Sequence, residues 1–309
     1  MSTGVWNPSD IPSQNGKSII ITGSTSGIGL ETAKELARAG GNITLAARNP
    51  EKAKAVIQEL EKETGNKNIE FMPVDTSSLD SVRNFAAAWE ERGKKVDVLI
   101  LNAGISNVPK REESVDGYER QFATNYLGHF LMTALMLPFI RNEEGSRIVL
   151  VASLAHKRTM LHLDDLQLHN YSPMTAYAQS KLAVLTFGLE LSKRLDEAGI
   201  KIAAIPVHPG VASTEITRGG DRNNPVVQKI AKTIFGLLGQ KPAEGAWPAI
   251  YAATSPEANN GKYYGPSGKG ERKGVPGIAG FEEYANDREI ASRLWTISED
   301  LVGQKFEIK

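Results

Sequence analysis

Two side chains four residues apart carry the most specific chemistry in this chain: Tyr177 and Lys181, in Tyr177-Ala-Gln-Ser-Lys181. On a helix that spacing puts a phenol and an ammonium group on one face. A phenol ordinarily releases its proton near pH 10. A neighbouring cation favours the phenolate and draws that value toward neutrality, so the pair suits general acid–base work. Ser172-Pro173 lies just upstream and offers an N-cap and a first helical position.

A second stretch is built to hold an anion. Thr22-Gly23-Ser24-Thr25-Ser26-Gly27-Ile28-Gly29 follows an apolar β-rich run and precedes a helical pattern. Gly23 permits a tight turn, Gly27 a close backbone approach to a pyrophosphate, and Gly29 a close helix–sheet contact. The helix N-terminus then presents unpaired N–H groups and the positive end of its dipole. The spacing is G-x-x-x-G-x-G rather than G-x-G-x-x-G. An ordinary glycine-rich turn is the plainer alternative, and its place after the first strand argues against it. At the end of the second run, Leu45-Ala46-Ala47-Arg48-Asn49 has no acid for a ribose 2′-hydroxyl but has an arginine. A guanidinium can grip a 2′-phosphate with two hydrogen bonds. The expected cofactor is therefore NADP(H), with NAD(H) as the alternative if Arg48 is only a solvated loop residue.

These groups need elements to position them. Ser18–Thr22, Asn42–Ala46, Ile69–Val74, Val96–Leu101, Arg147–Val151, Ile202–Val207 and, weaker, Lys262–Tyr264 read as strands, several nearly continuous in apolar residues, as in strands covered on both faces. Helical patterns alternate with them, such as Ile28–Arg38 with Gly40 to end it. The expected architecture is an α/β, doubly wound Rossmann fold: a seven-stranded parallel sheet with helices on both faces. No linker or repeat divides it, so residues 1–309 read as a single dinucleotide-binding domain with an integral substrate site. Residues 221–248 are expected as a substrate lid, with an apolar stripe from Val226 to Leu238. Residues 265–309 are a C-terminal extension, helical near Glu289–Leu301.

Composition narrows the classes. The 309 residues carry 36 basic and 36 acidic side chains, so the net charge is zero and no nucleic-acid partner is expected. Membrane-surface contact is disfavoured on the same ground, and the longest apolar run, Phe130–Ile140, is too short to span a bilayer. Cysteine is absent, which removes disulfides, thiol catalysis and thiolate metal sites. The five histidines form no metal-ligand spacing, and no metal is expected. A cytoplasmic location is the expectation.

In order along the chain, the Thr22–Gly29 turn, Asn102-Ala103-Gly104, Ser153, Tyr177 with Lys181, and Pro209-Gly210 resemble the short-chain dehydrogenase/reductase family over roughly residues 15 to 265. Ser153-Leu-Ala-His156, Ser180-Lys-Leu-Ala183, His208-Pro-Gly210, the long stretch before Tyr177 and a Trp295-containing terminal helix resemble its retinol-dehydrogenase-like branch. The resemblance implies an oxidoreductase, a carbonyl reductase or alcohol dehydrogenase, with Tyr177 as general acid/base, Lys181 lowering the phenol pKa and binding nicotinamide-ribose hydroxyls, Ser153 polarising the substrate oxygen, and Asn125 holding a relay water. It also implies Asp75 with Thr76 at the adenine, Asn102, Ala103 and Gly104 along the adenosine, and Pro209, Gly210, Val211 and Thr214 facing the nicotinamide and phosphates. The substrate would be a largely apolar aldehyde, ketone or alcohol, and a homo-oligomer is left open.

Two departures stand out. Leu101 replaces the first asparagine of the usual Asn-Asn-Ala-Gly. Ser153 precedes Tyr177 by 24 residues where ordinary members have about a dozen, so His156 to about Tyr171 must loop out and return. His156 could touch substrate or be an ordinary loop residue. Ser172 and Ser180 are poorer candidates than Ser153, one as a cap and the other on the tyrosine helix itself. A nucleotide-sensing protein without turnover remains the rival from outside enzymology, since fold alone does not establish activity.

Overall fold

The structure is a computed structural model and describes residues 6–211 and 240–308. Its strands are β1 (Ser18–Thr22), β2 (Asn42–Ala47), β3 (Ile69–Pro73), β4 (Val98–Leu101), β5 (Arg147–Val151), β6 (Ala203–Val207), β7 (Tyr264–Pro266) and β8 (Pro276–Ile278). They form one sheet in the order β3-β2-β1-β4-β5-β6-β7-β8. The first seven are parallel, as expected, and β8 adds an antiparallel edge through Gly265 opposite Gly277. Sequence reading misses β8 because Pro276-Gly277-Ile278 has no β-rich run. A proline is tolerated there only because the strand is at an edge.

Alternate residues of the central strands feed two different cores. Ile20, Leu99 and Ile148 face one, and Ile19, Ile21, Val98 and Ile100 face the other. That explains the continuous apolar runs: both faces are covered. On the face reached by Ile19 and Ile21 lie α1 (Gly27–Arg38) and α2 (Pro50–Thr64). On the other lie α3 (Leu79–Glu90), a broken helix, and α6 (Pro173–Glu197). The broken helix runs from α4 (Arg120–Phe122) through a π-helical turn (Ala123–Leu127) into α5 (Gly128–Met136). Ser172 caps α6 by accepting from the Thr175 amide, with Pro173 in the first turn, as the sequence predicts.

Helix α7 (Pro242–Thr254) buries Ala246, Ala249 and Ile250 in the same core as α1. Residues 242–248 were expected inside a substrate lid; they form the first half of this core helix instead. Residues 221–239 of the expected lid, with the Val226–Leu238 stripe, lie outside the described residues. The C-terminal extension contributes its helix to the other core. Helix α8 (Arg288–Val302) lays Trp295 against Phe130 and Phe187, stacks it on Phe306 at 4.7 Å, and receives the Arg194 guanidinium 4.0 Å from the ring centre. The insertion before Tyr177 folds back onto the body: Tyr171 donates to the Val108 carbonyl at 2.7 Å, and Gln179 of α6 accepts from the His162 amide at 2.9 Å. No described helix is long and apolar enough to cross a membrane.

Candidate active site

The strand order reverses between β1 and β4, and ligands of open α/β sheets bind at the carboxyl ends of strands beside such a reversal. A cleft opens there. Of the residues singled out in the sequence, Gly23, Thr25, Ser26, Gly27, Ile28, Gly29, Arg48, Asp75, Thr76, Asn102, Ala103 and Gly104 line it. Ser24 does not; it is fully buried, with its hydroxyl unpartnered among the described residues. The floor is tightly built. A Cβ on Gly29 would lie 2.5 Å from both the Asn102 Nδ2 and the Gly23 carbonyl oxygen. Gly23 itself has φ +66° and sits against Ala103. At the start of α1, Ser26 makes no side-chain cap, so the N–H groups of its first turn face the cleft without a side-chain partner. Bare amides over a cradle only glycine can line fit a dinucleotide pyrophosphate.

Thr22 links this floor to the helix behind it. Its hydroxyl oxygen accepts from the Asn102 and Ala103 amides at 2.8 and 2.9 Å and lies 3.0 Å from the His129 Nε2. The His129 Nδ1 lies 3.0 Å from the Asn125 carbonyl oxygen, an acceptor only, so Nδ1 carries the proton and Nε2 accepts from Thr22. Burial, with the Lys181 charge second, pushes His129 down to about 3.

At the mouth beside β2, Arg48 stands 3.9 Å from Asp75 in a loose, partly exposed pair. The other Asp75 oxygen accepts from the Ser77 amide and hydroxyl. Asn49, Lys52, Ile105 and Thr124 also line the cleft and were missed. Asn49 caps α2 through the Lys52 amide, which brings the first turn of that helix to the rim; the Asn-Pro pair after Arg48 was the available signal.

The cleft ends at Gly104 and Ile105, and the groups suited to proton transfer lie behind. A Cβ on Gly104 would be 3.2 Å from the Asn125 Oδ1 and 3.4 Å from the Lys181 Nζ, so Asn125 and Lys181 meet across that glycine. Asn125 sits in the π-helical turn, a feature that often marks functional sites. Its side chain accepts from the Ile105 amide and donates to the Ile105 carbonyl and the Ser180 hydroxyl. Ser180 donates to the Tyr177 carbonyl, which fits its reading as a structural serine. The Lys181 Nζ donates to the Val151 carbonyl at 2.7 Å, and burial lowers it to about 8. The Ser153 hydroxyl is close enough to the Tyr177 phenol to act on its pKa. One expectation needs correcting: burial, the largest influence, raises the Tyr177 phenol above its ordinary value, the Ser153 hydroxyl only partly opposes it, and Lys181 does not draw it down in this arrangement.

Ser153 also caps the 3-10 turn Leu154–Arg158, its oxygen accepting from the Ala155 amide at 3.2 Å. His156 is fully buried rather than a loop residue. Pro209, Gly210 and Val211 follow β6 and are tied to neighbouring segments, Pro209 through Gln240 and Val211 through the Arg272 carbonyl. Thr214 lies outside the described residues. Leu101, the departure from the family pattern, is core at the end of β4.

Three comparisons bear on this arrangement. The family model described as short chain dehydrogenase matches residues 17–224. Retinol dehydrogenase 13 of Homo sapiens is 41% identical over 293 residues, covering 93% of this chain and 85% of that protein. Polyprenol dehydrogenase of Mus musculus is 37% identical over 308 residues, covering 97% and 88%. Among solved structures, the Pseudomonas aeruginosa RhlG/NADP active-site complex superposes with a TM-score of 0.64 at 25% identity, covering 81% of this chain and 94% of that one.

Proposed function

The chain belongs to the short-chain dehydrogenase family, in its retinol-dehydrogenase-like branch, and from that premise we propose that it is an NADP(H)-dependent oxidoreductase interconverting a carbonyl and an alcohol in a largely apolar small molecule. The observation that carries the reading is a meeting of groups: the cleft reaches Gly104, with Lys181 and Asn125 directly behind it and Ser153 beside Tyr177. A nicotinamide held there supplies or accepts the hydride. The chain's own part is positional and electrostatic. Ser153 would bond the substrate oxygen and polarise it. Tyr177 would exchange a proton with that oxygen, as acid in reduction and, deprotonated, as base in oxidation. Lys181 would bind ribose hydroxyls, and Asn125 would fix the Ile105 loop beside it.

NADP(H) is favoured by Arg48, with Lys52, at the rim where an NAD site would carry an acid. The RhlG complex, described with NADP, agrees. An apolar substrate is supported by the retinol and polyprenol named for the relatives.

The test is NADPH oxidation by purified protein across a panel of apolar aldehydes and ketones. Tyr177→Phe should lower kcat by about a hundredfold or more while NADPH still binds; retained turnover would remove the phenol from its role. Binding without turnover by the wild type would favour the nucleotide-sensing rival. Arg48→Ala should weaken NADPH about tenfold or more and leave NADH nearly unchanged, read as dissociation constants by fluorescence titration. An equal loss for both cofactors would sink the 2′-phosphate argument.

A further inference from the structure

Behind the Ser153–Tyr177 pair lies a buried group of side chains that the proposed chemistry does not use. His156 and His208 are both fully buried against the Tyr263 ring, with centroids 5.5 and 5.2 Å from it. Each histidine holds one of two loops, the turn that carries Ser153 and the Pro209-Gly210 loop, which the family resemblance assigns to the nicotinamide side. The His156 Nδ1 lies 2.6 Å from the Ser153 carbonyl oxygen, and the His156 amide donates to that same oxygen. His156 therefore fixes the backbone from which the Ser153 hydroxyl projects. On the other side, the Gly210 amide donates to the His208 Nδ1 at 3.1 Å, so the neutral ring carries its proton on Nε2.

That Nε2 stands 3.2 Å from one carboxylate oxygen of Glu271, a close polar contact that is not aligned as a hydrogen bond. The same oxygen accepts from the Lys157 Nζ at 3.2 Å, on the turn that Ser153 caps, and the other oxygen accepts from the Gly280 amide at 2.8 Å. One carboxylate thus ties the serine turn, the Pro209-Gly210 loop and the C-terminal extension together. The local backbone is arranged for it. Glu271 adopts φ +56°, a left-handed conformation that few side chains other than glycine occupy. Such geometry persists where the surroundings over-determine it. Gly265 of β7 leaves the His208 ring its space, since a Cβ there would lie 1.9 Å from Nε2. The charge states agree: the His208 contact, then the Gly280 amide and Lys157, hold the Glu271 carboxyl at about 2 against burial, and burial lowers His208, so a carboxylate faces a neutral ring.

We propose that Glu271 is a positioning residue for hydride transfer, which sets the separation between the substrate-oxygen site at Ser153 and the nicotinamide-side loop at Gly210 by holding Lys157 and His208 at once. This rests on the oxidoreductase reading above. Because Glu271 touches neither the cleft nor the reacting groups, its loss should leave binding largely intact and act on the chemical step.

Glu271→Gln is the direct test. Its amide cannot replace the carboxylate in either orientation: with the carbonyl toward Gly280, an NH2 meets the donors of Lys157 and His208; reversed, an NH2 meets the Gly280 N–H. In the full-length protein, kcat should fall about tenfold or more while KM for NADPH changes less than about twofold. The deuterium isotope effect with 4-deuterated NADPH should rise as hydride transfer becomes limiting. Hydrogen exchange at the Gly210 amide should speed by about tenfold as its acceptor ring loosens. Lys157→Gln, a surface change with little risk to folding, should reproduce the kcat loss in weaker form, about threefold. An unchanged kcat in folded Glu271→Gln, or in Lys157→Gln should Glu271→Gln fail to fold, overturns the proposal, as does a shift in melting temperature alone. If the wild type itself does not oxidise NADPH, the oxidoreductase reading fails first; in that event unchanged Gly210 exchange in the variants overturns the bracing itself.

Discussion

At the residue scale the site depends on protons that must stay where burial puts them. Neutral His129 accepts from Thr22, whose oxygen is thereby free to receive the Asn102 and Ala103 amides. Protonation of Nε2 would turn that acceptor into a donor and loosen the adenosine-side loop. His156 behaves alike: burial lowers it to about 4, and its Nδ1 proton is committed to Ser153. Both folded values lie below the ordinary 6.5, so as pH falls the unfolded chain takes up protons first. Stability present above about 6.5 should therefore be lost as pH drops toward 4, at up to about 1.4 kcal/mol per ring for each pH unit. Melting temperatures recorded from pH 7 to pH 5 should decline steadily, and His129→Gln should flatten the slope. A level profile over that range would contradict the burial argument. The glycine loop, Arg48, Tyr177 and Lys181 were legible in the sequence because backbone geometry and charge act locally. The Tyr177 pKa was not, because burial depends on parts of the chain far away, and Glu271 escaped notice because its partners are Lys157 and His208.

At the element scale, periodicity located most of the architecture. β1 and β5 fall on the expected residues, and α1 starts one residue early. Edges drifted where an apolar residue is core without being strand: Val96 is fully buried yet precedes β4, pairing only in an isolated bridge with Ile140. The terminal helix was anticipated, its importance less so. Its Trp295 is buried among Phe130, Phe187 and Phe306 and roofed by Arg194. Trp295→Ala should cost about 3–5 kcal/mol, read as a lower denaturation midpoint with an unchanged slope. A cost under about 1 kcal/mol would mean that the aromatic cluster collapses to fill the gap. Because α8 packs on α6, the helix of Tyr177 and Lys181, the variant should also lose kcat before it loses secondary structure.

At the scale of the whole molecule, the parallel sheet and its doubly wound order followed from alternation of strand and helix, and the cleft lies at the reversal between β1 and β4. What alternation could not predict was β8, a Pro-Gly strand with no propensity of its own, and the reach of residues after Tyr264 into the active-site half. The strand order also has a consequence in time. β1 is the first strand to be made, yet it lies between β2 and β4. Its cradle for phosphates has no floor until Asn102 and Ala103 have been added. The carboxylate that ties the serine turn to the Gly210 loop comes later still, at residue 271. During synthesis, N-terminus first, the phosphate cradle can therefore close while the contacts that residue 271 makes with Lys157 and Gly280 do not yet exist.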